Sequence, residues 1–422
     1  MSESTTFPKY DRYKDSGVEW LGEVPEHWQV SKTRWIWKEV EDPSEKGEEQ
    51  LLSISQYTGV TPTTADSRSE SLVGYRRCKP NDLAMNIMLA WQGGLGVSDY
   101  EGIVSPAYSV FRLRSDNNAH FLGYLYRTKR YLDEFGRNST GIVPSRWRLY
   151  PDKFGHVLTL LPSKPEQDRI VAFLDRKTAE IDTLIAKKQR QIELIDEQKA
   201  ILITRAVTRG LNPNAKLKPS GIEWIGDIPE HWEVKRGRYL FSESNERSQD
   251  GSEVHLSMSQ RFGLVPADSL SEKSLQSESY EGAKLCFVGD LVLNRLKAHL
   301  GVFSVAKQDG VISPDYSVFR LLNAENQPLF FELLFKTPNY IGQFNKVVRG
   351  IVVGFYRLYT GDFFGIPCFV PPPIEQIQVL EWIEKIAKQT QELKSVTLAH
   401  IDSLKTLRST LIAHAVTGRI KV

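Results

Sequence analysis

Most of this 422-residue chain is written twice, and the duplication limits what it can fold into. SGVEWLGEVPEHW at 16–28 returns as SGIEWIGDIPEHW at 220–232, 204 positions later, and every difference is conservative. SISQ at 53–56 returns as SMSQ at 257–260 with the same offset. Ser105-Pro106 and YSVFRL at 108–113 return at 313–314 and 316–321, now 208 positions later. GIV at 141–143 returns at 350–352. The slow drift in offset marks a few short insertions, which surface loops absorb. A period this long is a duplicated domain, not a solenoid repeat.

Each copy ends in a long charged segment. The stretch 166–208 lies between Pro162 and Pro165 on one side and Gly210 and Pro213 on the other, and contains no Gly or Pro. Val171, Leu174, Thr178, Ile181, Ile185, Ile192, Ile195, Leu202 and Ala206 step by threes and fours, with Lys188 and Lys199 on the same stripe. That spacing is a coiled-coil seam. Some forty residues make a rod of roughly 60 Å, which cannot bury its stripe alone. The partner is 375–417, where Leu380, Ile383, Ala387, Thr390, Ile401, Leu404, Leu411 and Ala415 repeat the pattern. Glu166-Gln167 matches Glu375-Gln376, and AVT at 206–208 matches AVT at 415–417. After Thr417 the continuation found in the first copy is missing, and the first fifteen residues supply it, so the repeat is circular. The expected class is α+β: two homologous mixed α/β domains separated by two long antiparallel coiled-coil helices, in a pseudo-twofold circular repeat. The expected boundaries are a first domain at 1–165, a central helix at 166–210, a second domain at 211–372 and a C-terminal helix at 373–422.

Within each domain, 82–85 and 290–293 read as buried strands, 108–113 as an alternating strand, and 120–135 and 330–344 as single helices. Three cysteines imply no disulfide framework and a reducing, cytoplasmic setting. Cys78 and Cys286 read as small buried hydrophobes. No apolar run approaches twenty residues and the N-terminus lacks a signal-peptide core, so neither a membrane span nor secretion is expected. A net charge of +2 does not exclude nucleic acid, since only the local patch matters.

Catalytic constellations are absent from the sequence. There is no phosphate loop, no Asn-Pro-Pro-aromatic motif, no His-x-x-x-His and no Cys-x-x-Cys, and Gln92-Gly93-Gly94-Leu95-Gly96 does not open a helix. His27 and His231, inside Pro-Glu-His-Trp, read as packed structural residues, and Trp20, Trp28, Trp224 and Trp232 as core or docking aromatics. Arg112 and Arg320 are structural or phosphate-contacting; the sequence leaves this open. Two similar heads on a spacer suit a ligand with two half-sites, and duplex DNA is the obvious one. Positions shared by both heads build the fold. Positions that differ inside the shared frame are free to specify. The candidate DNA-contacting set, taken from these variable segments and the shared residues that flank them, is Gln56, Tyr57, Asn86, Trp91, Gln92, Arg146 and Trp147 in the first head. In the second it is Gln260, Arg261, Asn294, Arg295, Lys297, His299, Tyr356 and Arg357. Gln, Arg, His and Lys can pair with base edges in the major groove, and aromatics beside them can contact thymine methyls or sugars.

The repeated S-G-[VI]-E-W-[LI]-G-x-[VI]-P-E-H-W box, the S-P-x-Y-S-V-F-R-L strand and the P-x-x-P-E-Q-x-x-I helix start, in circular order, resemble the specificity (S) subunit of type I restriction-modification systems. The resemblance covers essentially the whole chain. It implies two target-recognition domains, each reading one half of a bipartite site on double-stranded DNA, in a system of host defence against foreign DNA. It implies that the helices set the gap and dock two DNA adenine methyltransferase (M) subunits, and that motor-nuclease (R) subunits join them. S-adenosylmethionine, ATP and Mg²⁺ would belong to those partners, leaving this chain non-catalytic and without cofactors of its own. Lys188, Lys199 and Arg408 on the seam depart from the simplest picture of its packing. A protein-protein adaptor and a self-sufficient DNA-modifying enzyme are the alternatives. Salt-dependent DNA affinity separates the first from the specificity reading, and activity of the isolated chain the second.

Overall fold

The computed structural model describes residues 7–63, 71–260, 262–270, 280–350 and 356–422. The chain divides into two compact units, one of 1–189 with 398–422 and one of 190–397. The division cuts through both long helices, so each unit holds one head and part of each helix.

In the first unit a four-stranded antiparallel sheet runs in the spatial order Trp37–Val40, Tyr108–Leu113, Leu83–Asn86, Leu95–Val97. Side chains alternate across a strand. Leu83 and Met85 accordingly enter a large aromatic core with Trp28, Phe111, Phe121, Tyr126 and Phe154, while Ala84 enters a smaller one with Leu52, Ile54, Val60 and Cys78. With both faces covered, the strand Leu83–Asn86 is buried throughout. The second unit repeats the plan, with Phe241–Ser244, Tyr316–Leu321, Leu291–Asn294 and Phe303–Val305 in the same order. There Leu291 and Leu293 face the large core and Val292 the small one. Cys78 and Cys286 are buried, and burial pushes each thiol up to about 12.

The segments expected as single helices are each two: Ala119–Tyr126 and Lys129–Arg137, and Pro328–Phe335 and Pro338–Val347. The break sits at a buried threonine with extended backbone. Thr128 Oγ1 donates to Leu125 O, and Thr337 Oγ1 to Leu334 O, both at 2.7 Å. The hydroxyl thus closes the first helix, and in the second unit Pro338 also disfavours a helical Thr337.

The long helices are Lys164–Arg209 and Pro373–Val416. In the first unit the beginning of one packs on the end of the other, with Ile170, Leu174 and Ile181 sharing a core with Leu411 and Ala415. Within the second unit Ala206 and Val207 share a core with Val379 and Ile383. Each pairing is antiparallel. Lys188, Lys199 and Arg408 are half-buried on the seam. Arg408 Nε lies 2.9 Å from Asp182 Oδ1, an ion pair by distance without hydrogen-bond alignment. Lys394 Nζ bonds both carboxylate oxygens of Asp196 at 2.8 and 2.6 Å.

The circular order has a physical counterpart. Lys421 N donates to Pro8 O at 2.7 Å and Tyr13 Oη to Gly418 O at 3.0 Å. Strand Tyr13–Asp15 then pairs with Glu23–Pro25. In the second unit the strand pair Leu217–Pro219 and Asp227–Pro229 occupies the same place in the repeat.

Candidate nucleic-acid interface

Each head is fastened to its helix by the Glu-Gln dipeptide at the helix start. Glu166 is buried and accepts from Tyr10 Oη at 2.7 Å and Trp28 Nε1 at 3.2 Å, with His27 Nε2 at 2.9 Å. Burial alone would raise this carboxyl, but the bonds from Tyr10, His27 and Trp28 outweigh it and hold Glu166 below its usual range. Glu375 holds His231 at 2.7 Å and Trp232 at 3.0 Å in the same way. Gln167 Nε2 donates to Pro162 O and Asn117 Oδ1, and its Oε1 accepts from Asn118 N; Gln376 repeats all three bonds with Pro371, Asn326 and Gln327. The histidines are therefore structural through this carboxylate rather than through packing, since their side chains are about half exposed, at 54% and 53%. Trp28 and Trp232 are core residues, while Trp20 and Trp224 stack edge-on against Tyr131 and Tyr340, each with ring centroids 5.0 Å apart. Arg112 grips the buried Asp82 through Nε and Nη2 at 2.9 and 2.8 Å, and Arg320 grips Asp290 likewise, so both arginines brace their sheets.

With the frame fixed, three segments of the first head converge. The turn after Leu52–Ser55 presents Tyr57, 82% exposed, with Gln56 half-buried beside it. Arg127 Nη2 holds this turn by donating to Gln56 O at 2.8 Å and Tyr57 O at 3.0 Å. Gly59 has φ +76° and lies so close that a Cβ would come 2.7 Å from Arg127 Nη1. After Leu83–Asn86 the chain makes a 3-10 turn, Ala90–Gln92, whose following Gly93 abuts the Gln56 backbone. The third segment, Pro144–Arg146 and Trp147, is tied to the second by Leu149 N donating to Ile87 O at 2.8 Å. The Trp91 and Trp147 rings meet edge-on with centroids 5.2 Å apart, and Gln92 and Arg146 stand exposed nearby in sequence.

The second head makes the same junction with different residues. His299 and Tyr356, at the positions of Trp91 and Trp147, meet edge-on at 5.6 Å. Gln260 and Lys297 are exposed, as is Phe262, a variable residue outside the candidate set. Arg261 and residues 351–355, including most of the second GIV and the variable residues after it, lie outside the described residues.

Four candidates are turned to internal duty. Asn86 and Asn294 are buried, and their Oδ1 atoms accept from Met88 N, and from Leu296 N and Lys297 N, so they shape the segment that follows rather than present to solvent. Arg295 donates to Asp315 O and Pro314 O, and Arg357 to Asp315 Oδ1 at 2.6 Å. What the sequence reading missed, Glu166, Glu375, Asp82, Asp290 and Arg127, holds the frame. The first four were visible as acids repeated beside repeated boxes; Arg127 is Lys336 in the second head and carried no such signal.

Among the described residues, no group of three or more His, Cys, Asp or Glu is placed to hold a metal ion, and no helix is long and apolar enough to cross a membrane.

No family model matches the chain. A putative type I restriction enzyme MjaX specificity subunit from Methanocaldococcus jannaschii is 27% identical over 131 residues, which span 31% of this chain and 26% of that relative. The chain thus matches about a quarter of the relative's length. Among solved structures, a chain from a study of complex assembly and conformational transition of the type I R-M system superposes with a TM-score of 0.63 at 14% identity, over 93% of this chain and 98% of its own. The crystal structure of the HsdS subunit from Thermoanaerobacter tengcongensis gives 0.53 at 13% identity, over 94% and 98%. In sequence over that stretch, and in fold over nearly its whole length, the chain resembles the specificity subunits of type I restriction systems.

Proposed function

We propose that this chain is the DNA-reading subunit of a type I restriction-modification complex. Each head reads one half of a bipartite duplex site, and the paired helices set the gap. The observation that carries this reading is the junction built twice on one frame: Trp91 against Trp147 in one head, His299 against Tyr356 in the other. A frame kept constant under a contact surface that changes is what two unlike half-sequences require. Exposed Tyr57, Gln92 and Arg146, and Gln260 and Lys297, are the side chains assigned to bases or backbone. Arg261 belongs to the same proposal. Asn86, Asn294, Arg295 and Arg357 act by positioning these segments. A 46-residue helix is about 69 Å long, about two turns of duplex.

In this reading the chain performs no chemistry. Two adenine methyltransferase subunits bring S-adenosylmethionine, and motor-nuclease subunits, where present, use ATP and Mg²⁺. The complex works on DNA in the cytoplasm. Mapping methylated adenines across the genome with and without the gene tests the whole proposal. A two-part motif with a fixed gap should vanish with the gene. An unchanged methylation pattern, or methylation by the purified chain alone, would refute it.

A further inference from the structure

Beside the Tyr57 turn the first unit contains an open cleft of about 1050 Å³. One wall is the turn itself with Arg127, Lys129 and Arg130; the other is the end of the second long helix, from Arg408 to His414, with Thr417 and Arg419 beyond it. The two carboxylates in the lining are already engaged: Asp99 faces His120 at 3.5 Å and Asp175 accepts from Tyr124 at 2.7 Å. Among the described residues, none of Arg127, Arg130 and Arg419 has a carboxylate within ion-pair distance. Arg127 is held by the carbonyls of the turn and Arg130 by Leu21 O. Burial, and then Arg408, holds the Arg127 guanidinium below its ordinary value; burial and then Arg419 does the same to Arg130 and to the His414 imidazole. Arg408 keeps Asp182 and Lys129 keeps Asp133, but Arg127, Arg130 and Arg419 bring positive charge to the recess that no carboxylate pairs, and an entering anion would offset it.

The equivalent positions of the second unit are less basic. At the positions of Arg127, Lys129, Arg130, Arg408 and Arg419 it carries Lys336, Pro338, Asn339, Lys199 and Gly210. Lys336 is neutralised by Glu332. The recess there is lined by Ile201, Leu217 and Pro338 beside Arg205 and Arg209.

We infer that the cleft of the first unit is a binding site for the sugar-phosphate backbone of duplex DNA, continuous with the reading turn at Tyr57. This rests on the proposal that the heads read DNA, and adds where the first head takes hold of the strand. The site is extended: Arg408 and His414 are six residues apart on one helix, about 9 Å along its axis, so one small anion cannot engage both ends. Arg127 links the two functions, since it lines the cleft and holds the turn that presents Tyr57.

The test uses the full chain, Arg419→Gln and Lys129→Gln singly and together, and duplexes with the methylated motif or a scrambled one. Arg419 is exposed and Lys129 pairs with the exposed Asp133, so thermal midpoints should stay at the wild-type value. Each substitution should lower the slope of log affinity against log salt by about 0.9, so that the fall between about 50 and 200 mM salt shrinks roughly threefold per residue. The loss should be equal on both duplexes, leaving preference for the motif intact. Unchanged slopes with a DNA-binding wild type would overturn the cleft alone. So would saturable binding of inorganic pyrophosphate that the substitutions abolish without touching the slope, which would mark a small-anion site. A wild-type chain that binds neither duplex would overturn the DNA-reading proposal, and this inference with it.

Discussion

Replacing Glu166 with alanine should loosen the first head much more than the matching change loosens the second. Glu166 is the sole acceptor described for the buried Tyr10 hydroxyl and Trp28 indole. Stranding a buried donor costs about 1–3 kcal/mol, so the two together amount to about 4 kcal/mol. His27 adds little, since its half-exposed ring can turn to water. Glu375 has no counterpart of the Tyr10 bond, because the equivalent position is Asn214, so Glu375→Ala should cost about 2 kcal/mol, for Trp232 alone. Native-state hydrogen exchange reads the effect locally: the opening free energy of 20–29 should fall in Glu166→Ala while that of 224–233 stays, and the reverse should hold for Glu375→Ala. Equal losses in the two heads, or a loss below about 1 kcal/mol for Glu166→Ala, would refute the assignment of this carboxylate as the fastening point. The pH dependence has a definite sign. A carboxyl held below its usual range stabilises the fold fully above the unfolded value, and that share is lost as pH falls through the folded value. Acid sensitivity of the first head should therefore diminish in Glu166→Gln.

Exchanging residues 1–160 for another such head should change one half of the methylated motif and leave the other, as read by methylation mapping; joint change of both halves would contradict modular reading. Removing seven residues from both long helices shortens each by about 10.5 Å, and the gap by about three base pairs, with both half-sequences kept. Asp82→Ala removes the acceptor of Arg112 and of Lys79 N and should cost about 2 kcal/mol in chemical denaturation, whereas Asp290→Ala should cost less, because Arg320 keeps Glu246 as a partner.

The long helices were legible because their signals are local and redundant: proline and glycine at the ends, and apolar steps of three and four between. The buried strands 83–86 and 291–294 were legible for a similar reason, as short apolar runs repeated at one offset. The breaks at Thr128 and Thr337 were not. A threonine between two helical patterns looks like any helical residue until its hydroxyl is seen on the carbonyl three residues back. The candidate interface divided along the same line. Exposure of Tyr57, Gln92 and Lys297 follows from their loops. Whether Asn86 points out or folds onto Met88 N depends on a local hydrogen bond that residue type alone does not decide. Arg295 and Arg357 looked free because Asp315, which ties them down, lies 20 and 42 residues away in the chain.

The charged residues on the helix seam carry a consequence for how such a gene can change. Asp182 with Arg408 and Asp196 with Lys394 are pairs in which each partner is displaced by fourteen residues, two heptads, from its fellow on the same helix. A slip of one heptad on one helix would move both cations away from their acids together and break both partly exposed pairs. If the helices set the spacing as proposed, the same edit at two places some two hundred codons apart keeps both pairs, and an edit to one helix alone does not.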